Sequence, residues 1–293
     1  MRLFHPDFNI LYKNIRLIIT MKLELHCHSW YSKGSKIPWE GLASPRDMVK
    51  DLKKKGFGGV AITDHNTIGG WKDAKAEAKR QGLVFIPGVE ISTASGHLIA
   101  LGVEKCTKAG LSLEETNDLV HRQGGITVAP HPFDLRGEGI GREFRKADAA
   151  EIFNSLNLTR IENGIAKKEI SKVGMPAVGG SDAHSLEMLG MTSNIIEAHD
   201  ADSVISQIMK GRIKVEGRYT SIPLVVSWVR ERMKRSYDEV EMYTDKNYSA
   251  PKAALSRFML RRFVGSTSRG WDMLGYFIIG LSTAYSTLRL AKR

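Results

Sequence analysis

From Met21 onward, short apolar runs alternate with longer stretches whose apolar positions recur every three or four residues. The short runs read as buried strands and the longer stretches as amphipathic helices. Strands are expected at Met21–His26, Val60–Thr63, Val84–Ile86 leading into Pro87–Glu90, His97–Val103, Ile126–Ala129, Ala150–Phe153, Ala177–Gly179 and Thr192–Ile196. A first helix is expected from a Ser44 cap, with Pro45 in its first turn, to about Lys55. Others are expected over Gly70–Arg80, Leu113–Gln123, Asn163–Val173 and Ala201–Lys210, with Gly56, Gly82 and Gly124-Gly125 as stops. About seven such units predict a parallel sheet covered by helices, closed into an α/β barrel of TIM-like form rather than left open.

Outside residues 21–211 the rhythm changes. Residues 1–20 hold a broken apolar run with no small-residue cleavage site, so they read as an N-terminal extension, either added before Met21 or poorly ordered, and not as a secretory signal. Residues 212–293 read as a mostly helical C-terminal region. Helices are expected at Pro223–Arg235 and Pro251–Val264, with a mixed polar stretch at Tyr237–Tyr248 between them. The last segment, Trp271–Leu290, carries no charge for 16 residues from Met273 to Leu288. A spanning helix needs about 20 apolar residues. The segment is therefore read first as a helix packed on the barrel or on a partner subunit, then as a membrane-surface helix, and last as a span. Gly280 and Ala284, four apart, suit close helix packing.

Charge follows the same division. The formal net charge is +11, and residues 212–293 hold 16 Lys+Arg against 7 Asp+Glu, while residues 21–211 are balanced. A neutral body with a basic tail suits an anionic partner, nucleic acid or a membrane surface, and equally a solvated basic face. Two cysteines, Cys27 and Cys106, exclude a disulfide framework and point to the reducing cytoplasm.

The candidate chemistry sits where the apolar runs end. His26 and His28, at i and i+2, project from one side of the first strand; Cys27 between them points the other way and is expected to pack. Asp64 and His65 follow the second strand, Glu90 the third, His131 the fifth, and Asp182 and His184 the seventh, while His97 opens the fourth. Six of the chain's nine histidines belong to this set. A lone member would be read as a satisfied core histidine or a cap. Together, at the barrel edge where active sites are built, they point to metal coordination. Imidazole and carboxylate without thiolate suit zinc, manganese or iron, and Glu90 is the carboxylate best placed to bridge two ions. Such a site acidifies water and neutralises the oxygens of a phosphoester.

The motifs HCHS at 26–29, TDHN at 63–66, GVEIS at 88–92, HLIALG at 97–102, APHP at 129–132 and GSDAH at 180–184 resemble those of the PHP (polymerase and histidinol phosphatase) family over about residues 22–211. The resemblance implies a distorted (β/α)7 barrel with two to three divalent ions that hydrolyses phosphoesters through a metal-activated hydroxide. Its members include phosphatases, exonucleases and polymerase proofreading domains. It implies that His26, His28, Glu90 and Asp182 hold one ion and that Glu90 bridges to a second held by His97 and His131. His65 and His184 serve a third, and Asp64 orients a ligand or the attacking water. One departure stands out: relatives place an acidic residue or histidine in the loop after H-x-H, in an S-D-G or similar setting, where this chain reads Ser32-Lys33-Gly34. Lys33 supplies no carboxylate, so two ions are expected, with the third weak, absent or completed by water, and Lys33 is free to meet substrate phosphate.

The Gly-rich stretch Phe133–Arg142 directly follows His131. Arg136 and Arg142 there, with Arg145 beyond, read either as a phosphate clamp or as a solvent loop; Asn154 reads as facing the site or capping a helix. The substrate is thus a phosphorylated small molecule or an oligonucleotide. The rival reading is a non-catalytic nucleic-acid-binding protein on the same barrel.

Overall fold

The computed structural model describes residues 19–34 and 37–291. Among the described residues nine strands form one sheet: β1 (Ile19–Glu24), β2 (Gly59–Ile62), β3 (Val84–Ser92), β4 (His97–Leu101), β5 (Ile126–Ala129), β6 (Ala149–Asn154), β7 (Ala177–Gly180), β8 (Thr192–Ala198) and β9 (Lys214–Gly217). They lie in the order β7-β6-β5-β4-β3-β2-β1-β8-β9. The sheet curls into a nearly closed barrel. Its ends are drawn together by Asn194 of β8, whose amide donates to Gly179 O of β7 (2.7 Å) and accepts from Gly179 N (2.8 Å). A β-carbon at Gly179 would strike Val215 and Thr192, so only glycine lets these strands approach.

The expected all-parallel sheet is corrected in two places. Pairings β1–β2–β3 and β5–β6–β7 are parallel, but β4 is antiparallel to both its neighbours, and β8 is antiparallel to β1 and β9. Between Ser92 and His97 the chain makes only a hairpin, closed by Thr93 N donating to Gly96 O at 2.8 Å. A parallel return needs a crossover of about a dozen residues or more. This reversal places His97, the first residue of β4, opposite Ser92 at the same barrel edge as Glu90. The expectation for the first twenty residues lies mostly outside the described residues; Ile19 and Thr20, assigned to that extension, instead pair with Ala198 and Glu197 within the sheet.

The helices form for legible reasons. In α1 (Pro45–Lys54), Ser44 Oγ accepts from Asp47 N, as a cap should. Helix α2 (Trp71–Gln81) ends on Gly82 in the left-handed region, and α3 (Leu113–His121) opens with a Ser112/Glu115 capping box. Helices α4 (Ile161–Val173) and α5 (Ala201–Met209) complete the barrel's cover.

Four helices follow the barrel: α6 (Ile222–Arg235), α7 (Tyr237–Asn247), α8 (Ala250–Val264) and α9 (Gly270–Ala291). α6 lays Leu224, Val225, Trp228 and Val229 on the core cluster built from α1, α2 and β2. α9 lies across α6, with Gly275 closest to Ile222 and Val226. Its partner in packing is therefore this chain's own α6, while Met273, Tyr276, Phe277, Ile278, Leu281 and Tyr285 remain exposed. Among the described residues no helix is long and apolar enough to cross a membrane.

Two outcomes are expected from the buried interior. Ile86 is fully buried, and Ile86→Ala should lower unfolding free energy by about 2–5 kcal/mol in urea titration. Glu24 of β1 is also fully buried, accepting from the backbone amides of His26, Ser181 and Gly190. Burial raises its pKa from 4.5 to about 7 despite those bonds. A carboxyl whose pKa is raised on folding contributes stability below its unfolded value and loses it as pH climbs through the folded one. The stability of Glu24→Gln relative to the wild type should therefore rise between about pH 4.5 and about pH 7. A pH-independent gap would contradict this.

Candidate metal centre

Beyond β1 the chain runs between two neighbours. His28 N donates to Ala183 O (2.8 Å) and Asp182 N to His26 O (2.9 Å) on one side; on the other, Thr63 N donates to Cys27 O (2.9 Å). The H-x-H segment is thus held as an extra strand residue run, with both imidazoles inward and Cys27 outward in the core, its thiol on Ala61 O. Cys27 packs as expected.

Everything inward converges on Glu90. Its Oε2 lies 3.3 Å from His26 Nε2, 3.2 Å from His28 Nε2 and 3.4 Å from His65 Nδ1; its Oε1 lies 3.1 Å from His97 Nδ1 and 3.3 Å from His131 Nε2. Asp182 Oδ1 stands 3.5 Å from His26 Nε2, 3.3 Å from His28 Nε2 and 3.7 Å from His184 Nδ1. All eight expected ligands come together. Among the described residues, side-chain donor atoms gather into four overlapping groups: His26, His28 and Asp182; His26, Glu90 and His131; His65, Glu90 and His97; and His28, His65 and His184. The structure therefore joins His65 to the Glu90–His97 side as well as to His184.

The residues fit divalent cations. Ligands about 2.0–2.1 Å from a tetrahedral ion are about 3.3 Å from one another, the separation seen around Glu90 and Asp182. His26 Nε2 and His28 Nε2 face each other at 3.1 Å. Glu90 Oε1, His65 Nδ1, His97 Nδ1 and His131 Nδ1 are buried without a hydrogen-bond partner, a cost that coordination removes for the atoms facing an ion. Electrostatics agree. Burial acts to raise Glu90, but His65, His26 and His97 outweigh it and hold the carboxyl well below its usual range. Burial acts to lower His28, and its bonds to Asp182 and Glu90 instead drive it up to about 10. Burial leaves His65 at about 3. Protons on some of these imidazoles neutralise the carboxylates, a task a divalent ion held by the same residues would supply when bound.

The backbone is also forced here. His131 (φ 27°), Asp182 (φ 51°) and Asn66 (φ 54°), which follows His65, all adopt positive φ without being glycine. Three such residues at one rim are typical of strain retained for a site.

The remaining expected residues divide. Asp64 accepts from Ser29 N and Ser29 Oγ, both at 2.6 Å, and so fixes the turn that carries His28. Arg136 lines the cavity, with one guanidinium nitrogen 3.8 Å from Asp182 Oδ2 and Nε on Asp134 at 2.9 Å. The loop carrying it is built rather than loose, since Asp134 Oδ1 accepts from the amides of Gly137, Glu138 and Gly139. Arg142 sits exposed on a 3-10 turn, Gly141–Lys146, and does not line the cavity with Arg136. Arg145 turns to Glu169. Asn154 faces the site, its amide on Glu151 (2.9 Å) and 3.5 Å from Asp182.

Sequence reasoning missed Glu151. Its Oε1 accepts from His26 Nδ1 at 2.7 Å and its Oε2 from His131 N at 2.8 Å, so one carboxylate orients two ligands. The signal was an acid inside the apolar run Ala149–Phe153. Also missed were Glu40, Trp228 and Arg232 in the cavity wall. No spacing connects these three to the strand ends.

Similarity to known proteins agrees with this geometry. A model of the PHP domain matches residues 24–135, and a PHP-associated model matches residues 160–213. The uncharacterized protein MJ1587 of Methanocaldococcus jannaschii is 37% identical over 159 residues, 52% of this chain and 92% of that protein. The chain belongs to the PHP family. That membership places it among metal-dependent phosphoesterases, hydrolases of phosphoric ester bonds. A 5'-3' exoribonuclease of Haemophilus influenzae is 36% identical over 159 residues, and the match spans 53% of each chain. A solved two-domain protein from Bacteroides vulgatus, described as containing a predicted PHP-like metal-dependent phosphoesterase, shares the fold. The TM-score is 0.56 at 16% identity, over 72% of this chain and 70% of that one.

Removing the carboxylate behind His26 tests the centre without touching a ligand. Glu151→Gln should weaken manganese binding by about 10–100-fold in a chelator competition titration. Unchanged affinity would leave Glu151 a purely structural residue.

Proposed function

We propose that this PHP chain hydrolyses a phosphoester of a nucleotide or oligonucleotide, using two to three divalent ions (manganese, zinc or iron). The observation that carries the reading is the convergence of six imidazoles on the carboxylates of Glu90 and Asp182. Ions held there supply charge neutralisation for a phosphoryl group and lower the pKa of water.

The chain's own residues support binding of an anion beside that centre. Arg136 reaches the ligand cluster from one wall, and a mouth of about 540 Å³ opens at the other, lined by Lys33, Asn66, Ser92, His97 and Arg232. That volume suits a ligand of nucleotide size. Lys33 lies there with its ammonium 3.5 Å from the Trp39 ring centroid, within the mouth rather than among the ligands, as its expected part in meeting phosphate requires. Asp64 and Glu151 hold His28 and His26 in place, so the ligand set is preorganised. An almost complete ligand set, short only of the acid replaced by Lys33, argues for turnover over the rival non-catalytic binding protein. Two unpaired cysteines support a cytoplasmic setting.

The test is turnover of a chromogenic phosphomonoester, a chromogenic phosphodiester and a labelled single-stranded oligonucleotide with manganese, before and after chelation. Chelator-sensitive cleavage of the oligonucleotide is expected, and His28→Ala or Asp182→Ala should reduce it by at least about 100-fold. Cleavage confined to the monoester would replace the nucleic-acid substrate with a small molecule. No cleavage of any of the three would overturn hydrolysis.

A further inference from the structure

The loop after H-x-H lacks the carboxylate that its resemblance leads one to expect, because Lys33 stands at that place. The structure brings another carboxylate to the same cavity from farther along the loop. Glu40 Oε2 lies 3.6 Å from His65 Nε2, and the Glu40 side chain is only 17% exposed. Glu40, His65 and His184 line one cavity of about 270 Å³ together with Glu90 and Asp182. The separation is too long for a hydrogen bond and falls within the spread of the ligand–ligand distances around Glu90 and Asp182.

Glu40 is also aimed. Its other oxygen, Oε1, lies 3.6 Å from the Arg232 guanidinium of α6. Arg232 Nε donates to Trp39 O at 2.7 Å, and Trp228 Nε1 donates to Glu40 O at 2.9 Å. The Trp228 ring meanwhile packs on His184, with ring centroids 4.7 Å apart. One helix of the C-terminal region thus fixes the backbone on both sides of the Trp39–Glu40 peptide, orients the carboxylate and buttresses the imidazole across from it. An acid drawn this far into a wall of imidazoles, with one oxygen on an arginine and the other turned to a histidine nitrogen, has the arrangement of a ligand held by a partner behind it.

We propose that Glu40 supplies the carboxylate of a third cation position with His65 and His184, replacing the acid absent at Lys33, and that α6 positions it through Arg232 and Trp228. The inference rests on the metal-dependent reading above and deepens it: a third ion is held through a residue outside the family's loop motif, and it depends on the C-terminal region.

The test counts ions rather than turnover. Full-length protein is stripped with chelator, reconstituted with manganese, desalted and measured by inductively coupled plasma mass spectrometry, with chelator competition for affinity. Wild type is expected to retain one more ion per chain than Glu40→Gln, or to bind its weakest ion at least about 10-fold more tightly. His184→Ala should lose the same ion, and the Glu40→Gln, His184→Ala double variant should lose no further one. Melting of the metal-free Glu40→Gln protein at the wild-type temperature separates ligand loss from a folding defect. A Glu40→Gln protein equal to wild type in ion count and affinity overturns the proposal while leaving the metal centre intact. A wild-type protein that retains no ion overturns both.

Discussion

A carboxylate cannot be buried among imidazoles unless something cationic shares the space, and this protein is arranged around that constraint at Glu90. Five histidine nitrogens stand within 3.4 Å of its two oxygens, and Glu90 itself is fully buried. In a dry interior an unpaired charge of either sign is costly. Hydrogen bonds do not resolve the cost, because Glu90 Oε1 and three of the imidazole nitrogens lack a partner with acceptable geometry. Divalent ions would resolve it for the atoms that face them, and the side chains already hold the separations that such ligands need.

The barrel exists in this form to present that cluster. Parallel strands β1, β2, β5 and β7 deliver polar residues just past their C-terminal ends, and β3 delivers Glu90 from its last three residues, the usual place for a barrel's site. β4 runs the other way, so its first residue arrives at the same rim. The rim is then locked from behind: Asp64 holds the turn carrying His28, Glu151 holds His26 and the backbone of His131, and Asn194 draws β8 onto β7. Gly180 belongs to the same design, because a β-carbon there would collide with the Glu151 carboxylate. The positive φ angles at His131 and Asp182 are tolerated because both neighbours in space are fixed.

Much of this was legible in the sequence, and the limits have physical causes. Strand ends and helix caps are local, so the eight candidate ligands and the Ser44-capped start of α1 follow from periodicity and capping chemistry. The antiparallel β4 was also written in the chain, in the short gap between Ser92 and His97, but a repeating strand-helix rhythm invites a uniform parallel reading. β9 carries no apolar run: of its four residues Lys214, Glu216 and Gly217 are exposed. Arg142 and Arg136 are indistinguishable in a Gly-rich stretch, because which arginine turns inward depends on Asp134 gathering three successive amides around itself. Glu40, Trp228 and Arg232 are a different matter. Their roles come from the packing of α6 on the loop after H-x-H, a tertiary contact between residues about 190 positions apart with no local pattern to announce it.

That contact also bears on how the charge of the basic C-terminal region is read. As composition, its excess of Lys and Arg suggests a surface for nucleic acid or an anionic membrane. In the structure several of these charges are already engaged by the chain itself: Arg232 on Trp39 and Glu40, Arg235 on Leu42 O, Arg230 on Phe263 O, Arg257 with Asp245 and Arg261 with Tyr237. Net charge counts such residues as free, whereas an arginine whose donors are spent on carbonyls and carboxylates presents a weaker field to solvent. Of that basic excess, Arg232 stands at the mouth, lining with Lys33 of the barrel the same opening as His65 and His97. A region that looks like an appendage in the sequence forms one wall of the site, and the boundary between barrel and tail is a boundary of pattern rather than of function.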